Sequence, residues 1–65
     1  SRKQIFTVAH SDPRGLLAIL SLRLGVSSSV AQRALGEGSV FVDGRRATPT
    51  LREVLPGQKV QVVLP

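Results

Sequence analysis

Four arginines offer this chain its clearest chemistry. Arg33, Arg45 and Arg46, with Arg14 nearer the start, are guanidinium groups set on or beside elements that hold them in place. A guanidinium binds phosphate oxygens through charge-assisted, often paired, hydrogen bonds, so the chemistry on offer is anion recognition. Ser27, Ser28 and Gln32 add hydroxyl and amide groups at a helix start, where free N–H groups and the helix dipole also favour an anion. An Asp43–Gly44 pair just before Arg45 and Arg46 is expected to turn the chain tightly and hold both arginines at a hairpin tip, close to the end of that helix.

Other chemistries lack their parts. Each of the four acids has a structural role. Asp12 precedes a proline at a helix start, Asp43 sits in the turn, Glu37 lies between two glycines, and Glu53 follows Arg52 in a charged loop. No carboxylate pair is spaced for acid–base work. His10 is the one histidine and there is no cysteine, so no zinc ligand set can form. A lone loop histidine reads as a solvated surface residue, and Ser27, Ser28 and Ser29 read as helix caps rather than nucleophiles. Gly36-Glu37-Gly38 runs into a strand, whereas a phosphate-cradling glycine loop opens a helix. No catalytic residue, cofactor or metal is expected.

The elements that must carry these groups follow from local pattern. Ile5–Val8 favours a strand. Asp12-Pro13 marks a helix start, with Asp12 as N-cap and Pro13 in the first turn. The first helix is then expected over 13–24, with Leu16, Leu17, Leu20 and Leu24 on one side, Arg23 in the last turn against the negative end of the dipole, and Gly25 as C-cap. The second begins within Ser27-Ser28-Ser29. Ser29 with Gln32 fits a capping box, and Ser27 gives a longer helix. Val30, Ala31, Ala34 and Leu35 face one way, and Gly36 and Gly38 end it. Val40–Val42 is a strand, Arg45–Thr48 its return, and Thr48-Pro49-Thr50 a bend. Leu51–Leu55 reads equally as loop or irregular strand. Pro56-Gly57 turns the chain again, and Lys59–Leu64 alternates as a closing strand. Strand, two helices, then strands is an α+β order: two short helices packed on a small, mostly antiparallel sheet of three to five strands.

Sixty-five residues make a single domain, 1–65, with a thin aliphatic core and no disulfide to support it. The chain begins without methionine and stops after a strand-like run, as a fragment of a longer protein would. No run reaches the roughly 20 apolar residues of a membrane span, and no secretory signal is evident. The absence of cysteine is compatible with a reducing cytoplasm. The net charge is +5, from nine lysines and arginines against four acids, which points to an anionic partner. With no Trp or Tyr, and with Phe6 and Phe41 both in strand-like runs that suit a core, no base-stacking platform is expected. Phosphate and shape contacts remain, and these suit structured RNA.

The order of motifs carries a resemblance. Leu16 and Leu20, Ser27, Ala31, Arg33, Leu35, Glu37-Gly38, Val40-Phe41-Val42-Asp43-Gly44, Pro49, Pro56-Gly57, and Val60 with Val62 follow the pattern of the RNA-binding domain named after small-subunit ribosomal protein S-four. The match runs over about three quarters of the chain. Gly15, Ser28, Ser39 and Gln58 stand where that family usually has charged residues. Phe6-Thr7-Val8 and Val62-Val63-Leu64-Pro65 resemble the N-terminal module of large-subunit-type RNA pseudouridine synthases. The resemblance implies a non-catalytic, monomeric, cytoplasmic module that binds ribosomal or transfer RNA for an attached synthase domain. Arg14, Ser27, Ser28, Gln32, Arg33, Arg45 and Arg46 are the expected contacts. The alternative is a protein-interaction module that uses a sheet edge and has lost part of its RNA-binding set.

Overall fold

The computed structural model describes residues 2–48 and 50–64. Pro49, in the expected bend, and Pro65 lie outside the described residues. The elements are β1 (Arg2–Thr7), α1 (Leu16–Leu24), α2 (Ser28–Gly36), β2 (Val40–Val42), β3 (Arg45–Arg46) and β4 (Lys59–Leu64). The four strands form one antiparallel sheet in the order β1-β4-β2-β3. This is the expected α+β class.

The alternation in β4 explains why it is central. Val60, Val62 and Leu64 are buried on one face, while Lys59, Gln61 and Val63 occupy the other. The register sets Val40 and Val42 of β2 against Val62 and Val60, and Phe6 of β1 against Val60. Leu16, Ile19 and Leu20 of α1 and Ala31, Ala34 and Leu35 of α2 close over this face, with Val8, Ala47 and Val54 completing one core.

α1 begins three residues later than its sequence suggests. Its N-cap is Gly15, in extended backbone with no side-chain cap, rather than Asp12. Two competing interactions account for this. The Asp12 carboxylate accepts the Ala9 N–H at 2.8 Å and meets Arg23 Nη1 at 2.6 Å. Residues 14–16 are drawn into a short ladder with residues 52–54: Leu16 N–H donates to the Arg52 carbonyl, Val54 N–H donates to the Arg14 carbonyl, and Gly15 bridges Glu53. Extended pairing there leaves no helical backbone for Asp12 to cap. Leu51–Leu55 is therefore loop apart from that bridge. Arg23, besides sitting in the last turn of α1, lies 4.8 Å from the centroid of the Phe6 ring and ties α1 to β1.

Ser27 is the N-cap of α2, its Oγ accepting from Val30 N–H and lying 3.1 Å from Ser29 Oγ. The helix closes with Glu37 N–H to the Arg33 carbonyl, Gly38 N–H to that of Leu35, and Ser39 N–H to that of Ala34, so three of its last four carbonyls are satisfied by backbone N–H groups. Beyond β2, Asp43 (φ 52°) and Gly44 (φ 81°) both lie in the left-handed region, the backbone a two-residue hairpin needs to follow the strand twist. Asp43 also fixes the turn to β4, because its Oδ1 accepts the Lys59 N–H at 2.9 Å. β3 is shorter than the expected Arg45–Thr48, although Ala47 N–H still reaches the Val40 carbonyl. β1 is longer than expected, since all six of its residues find partners in β4.

Candidate nucleic-acid interface

Among the described residues the one ion pair is Arg23–Asp12. The other eight basic residues have no carboxylate partner among the described residues, and the Asp43 carboxylate is engaged by a backbone N–H. The positive excess in the sequence therefore persists as exposed, unneutralised side chains. No group of three or more His, Cys, Asp or Glu among the described residues is placed to hold a metal ion. No helix among them is long and apolar enough to cross a membrane.

α2 organises most of the expected contacts. Ser27 caps it, and Ser28, Gln32 and Arg33 are all exposed along it. Ser28 and Gln32 are four residues apart and so share one face of the helix. Arg33 is in the last turn, where its charge also offsets the negative end of the dipole. Arg14 is exposed beside the N-terminus of α1, held by its carbonyl bond from Val54 N–H.

Two features of the expected cluster differ from the structure. First, Arg45 and Arg46 do not form a pair. Arg45 stands opposite Val42, a core-facing residue, whereas Arg46 stands opposite Phe41 on the far side of the sheet. Neighbouring residues of a strand alternate between faces, so the two charges leave the hairpin in opposite directions. Second, the end of α2 next to the hairpin is its C-terminus. Gly36–Ser39 leads straight into β2, and a Cβ built on Gly38 would come within 3.1 Å of Arg46 Cδ. The capped N-terminus, with Ser27 and Ser28, lies a helix length away, roughly 13 Å at 1.5 Å per residue. The groups on α2 are therefore spread along the helix rather than gathered at one end.

Residues outside the expected set also stand out. Phe41 is half-buried on the face away from the helices and takes no part in the core, while Phe6 packs against the core under Arg23. The Arg46 guanidinium carbon lies 5.5 Å from the Phe41 ring centroid. Lys3, Lys59 and Gln61 share that outer face with Phe41. The signal for them is in the sequence: a two-residue turn at Asp43-Gly44 fixes Phe41 opposite Arg46, and the alternation in β4 assigns Lys59 and Gln61 to one face. Two surface pockets flank Leu35. One lies between the start of α1 and Leu51-Arg52, the other between Gly36–Gly38 and Arg46–Thr48, and neither assembles an acid–base pair. No protein-family model, curated protein or solved structure matches the chain.

Proposed function

We propose that this domain binds structured RNA through phosphate and shape contacts, without catalysis of its own. Arg33 and Arg45, with Arg14, contact phosphates, and Ser27, Ser28 and Gln32 supply hydrogen bonds at the N-terminal end of α2. Arg46, on the other face, is not part of this set. The observation that carries the reading is the want of carboxylate partners for eight of the nine basic side chains among the described residues. Groups spread along roughly 13 Å of α2 suit a polymer better than a single anion. On this reading the RNA is ribosomal or transfer RNA, brought to an attached pseudouridine synthase domain. That assignment rests on the resemblance to the S-four-type modules alone.

The protein-interaction alternative has one feature in its favour. β1 is an edge strand of six residues. Arg2 and Lys3 on that strand are the kind of charges that discourage strand addition. Titration with ribosomal RNA hairpins at several salt concentrations tests the main reading. About four phosphate contacts predict a log–log slope of roughly −3 to −4. A flat salt dependence, or amide shifts confined to β1, would overturn it.

A further inference from the structure

The open face of the sheet carries a second pattern, and from it we propose that this face holds unpaired nucleotides by stacking. The inference rests on the preceding reading only for the class of polymer; it uses different residues and the opposite side of the molecule.

One register line crosses all four strands. Ile5 pairs with Gln61, Gln61 with Phe41, and Phe41 with Arg46. At about 4.8 Å between strands the line is roughly 14 Å long. Lys3 stands beside Val63, and Thr7 beside Lys59, on the same face. Lys3, Arg46 and Lys59 supply three positive charges, and none of these strand positions holds an acid. The nearest acid along the chain, Asp43, has its Oδ1 engaged by the Lys59 backbone N–H. The face is thus uniformly cationic.

It also has the planar groups that nucleobases stack on. The Phe41 ring has no helix over it, and the Arg46 guanidinium lies beside it at cation–π distance. Bases stack on aromatic rings and on guanidinium planes alike. The pair therefore presents a platform whether a base rests on Arg46 or takes its place on the ring. Next in line, the Gln61 side chain makes no hydrogen bond among the described residues, so its amide is free to donate to and accept from a base edge. Ile5, 55% exposed, ends the line with an apolar contact.

Bases in a duplex hide their faces, so only unpaired nucleotides can use such a surface. A purely apolar partner gives no reason for three cations without an acid. An acidic peptide accounts for the charge but leaves the stacked Phe41–Arg46 pair without a role.

The test is backbone-amide NMR on this chain with three probes: a short oligouridylate, a blunt RNA stem with no loop, and an oligoglutamate peptide of equal length. Oligouridylate is expected to shift Lys3, Ile5, Phe41, Arg46, Gln61 and Val63. Phe41→Leu keeps an apolar side chain but removes the ring, and should weaken oligouridylate roughly tenfold, within the usual range for loss of one stacked base. Gln61→Glu sets a carboxylate in the centre of the line and should weaken it as well. Shifts on α2 with oligouridylate, wild-type affinity in both variants, or oligoglutamate binding as tightly to the same face would each overturn the proposal. A stem that fails to bind while oligouridylate shifts the sheet would instead overturn the helix-side reading and leave this one standing.

Discussion

Arg45 and Arg46 are consecutive in the chain and lie on opposite faces of the sheet, one across from Val42 and the other across from Phe41. Proximity in sequence therefore does not make a joint phosphate clamp. The division predicts a division of effects. Arg45→Ala should weaken binding to a blunt RNA stem and lower the magnitude of its salt slope by about one. Arg46→Ala should leave the stem unaffected and weaken an unpaired oligonucleotide. Affinities measured by anisotropy over a salt series decide the matter. Equal losses on the stem from both substitutions would mean that the two side chains act together after all.

Asp12 and Arg23 meet across eleven residues at 2.6 Å, and the same carboxylate holds the Ala9 N–H. The Asp12 side chain is 8% exposed and that of Arg23 34%, so the carboxylate is largely covered while its partners reach the surface. Arg23 in turn lies over Phe6, and the three groups join the 9–12 turn, α1 and β1. Asp12→Ala strips two partners at once and should cost about 1–3 kcal/mol, the usual range when charge-assisted bonds are lost. That is a large share of the roughly 3–10 kcal/mol available to a domain of this size. Urea denaturation should show a lower midpoint at an unchanged slope. A midpoint equal to wild type would mean that the contact is not formed in solution.

How far the fold is legible in the chain depends on how local its causes are. β2, the Asp43-Gly44 turn and β4 can be read directly, because alternation and turn chemistry act within a few residues. The start of α1 is not legible, because the ladder that keeps residues 14–16 extended comes from residues 52–54, far along the chain. A local rule nominates Asp12 as a cap, and a nonlocal pairing overrides it. β1 extends to Arg2 for the same reason: β4 supplies the partners. The opposed faces of Arg45 and Arg46 lie between these cases. The pleat and the two-residue turn imply the opposition, but only if the turn register is carried through to the side chains.

Two serines give opposite predictions. Ser21 Oγ in α1 is buried and has no hydrogen-bond partner among the described residues. Alanine there removes an unsatisfied hydroxyl and improves helix propensity, so Ser21→Ala should stabilise by about 1 kcal/mol. For a domain of this size that corresponds to roughly 4–8 °C in melting temperature. Ser27 Oγ accepts the Val30 N–H at the start of α2, so Ser27→Ala should destabilise by about 1 kcal/mol. Calorimetry on both variants reads the signs directly. Destabilisation by Ser21→Ala would show that its hydroxyl has a partner in solution.

Gly38 and Gly44 both have positive φ, at 74° and 81°, yet their surroundings differ. A Cβ on Gly44 meets nothing within 4 Å, whereas one on Gly38 would come 3.1 Å from Arg46 Cδ and 3.2 Å from Nε. Alanine at either site bears the cost of left-handed backbone, about 1–2 kcal/mol. At Gly38 it also crowds Arg46, and the easiest relief is for that flexible side chain to leave the Phe41 ring. The cation–π contact then lost is worth about 0.5–1 kcal/mol at an exposed site. Gly38→Ala should therefore cost that much more than Gly44→Ala in the wild-type background, and the two should cost the same once Arg46 is alanine. A double-mutant cycle by urea denaturation measures the difference as a Gly38–Arg46 coupling, with the Gly44–Arg46 cycle near zero as its control. If both cycles vanish, Arg46 is not held over Phe41 by the glycine turn, and the stacking platform loses the feature that positions it.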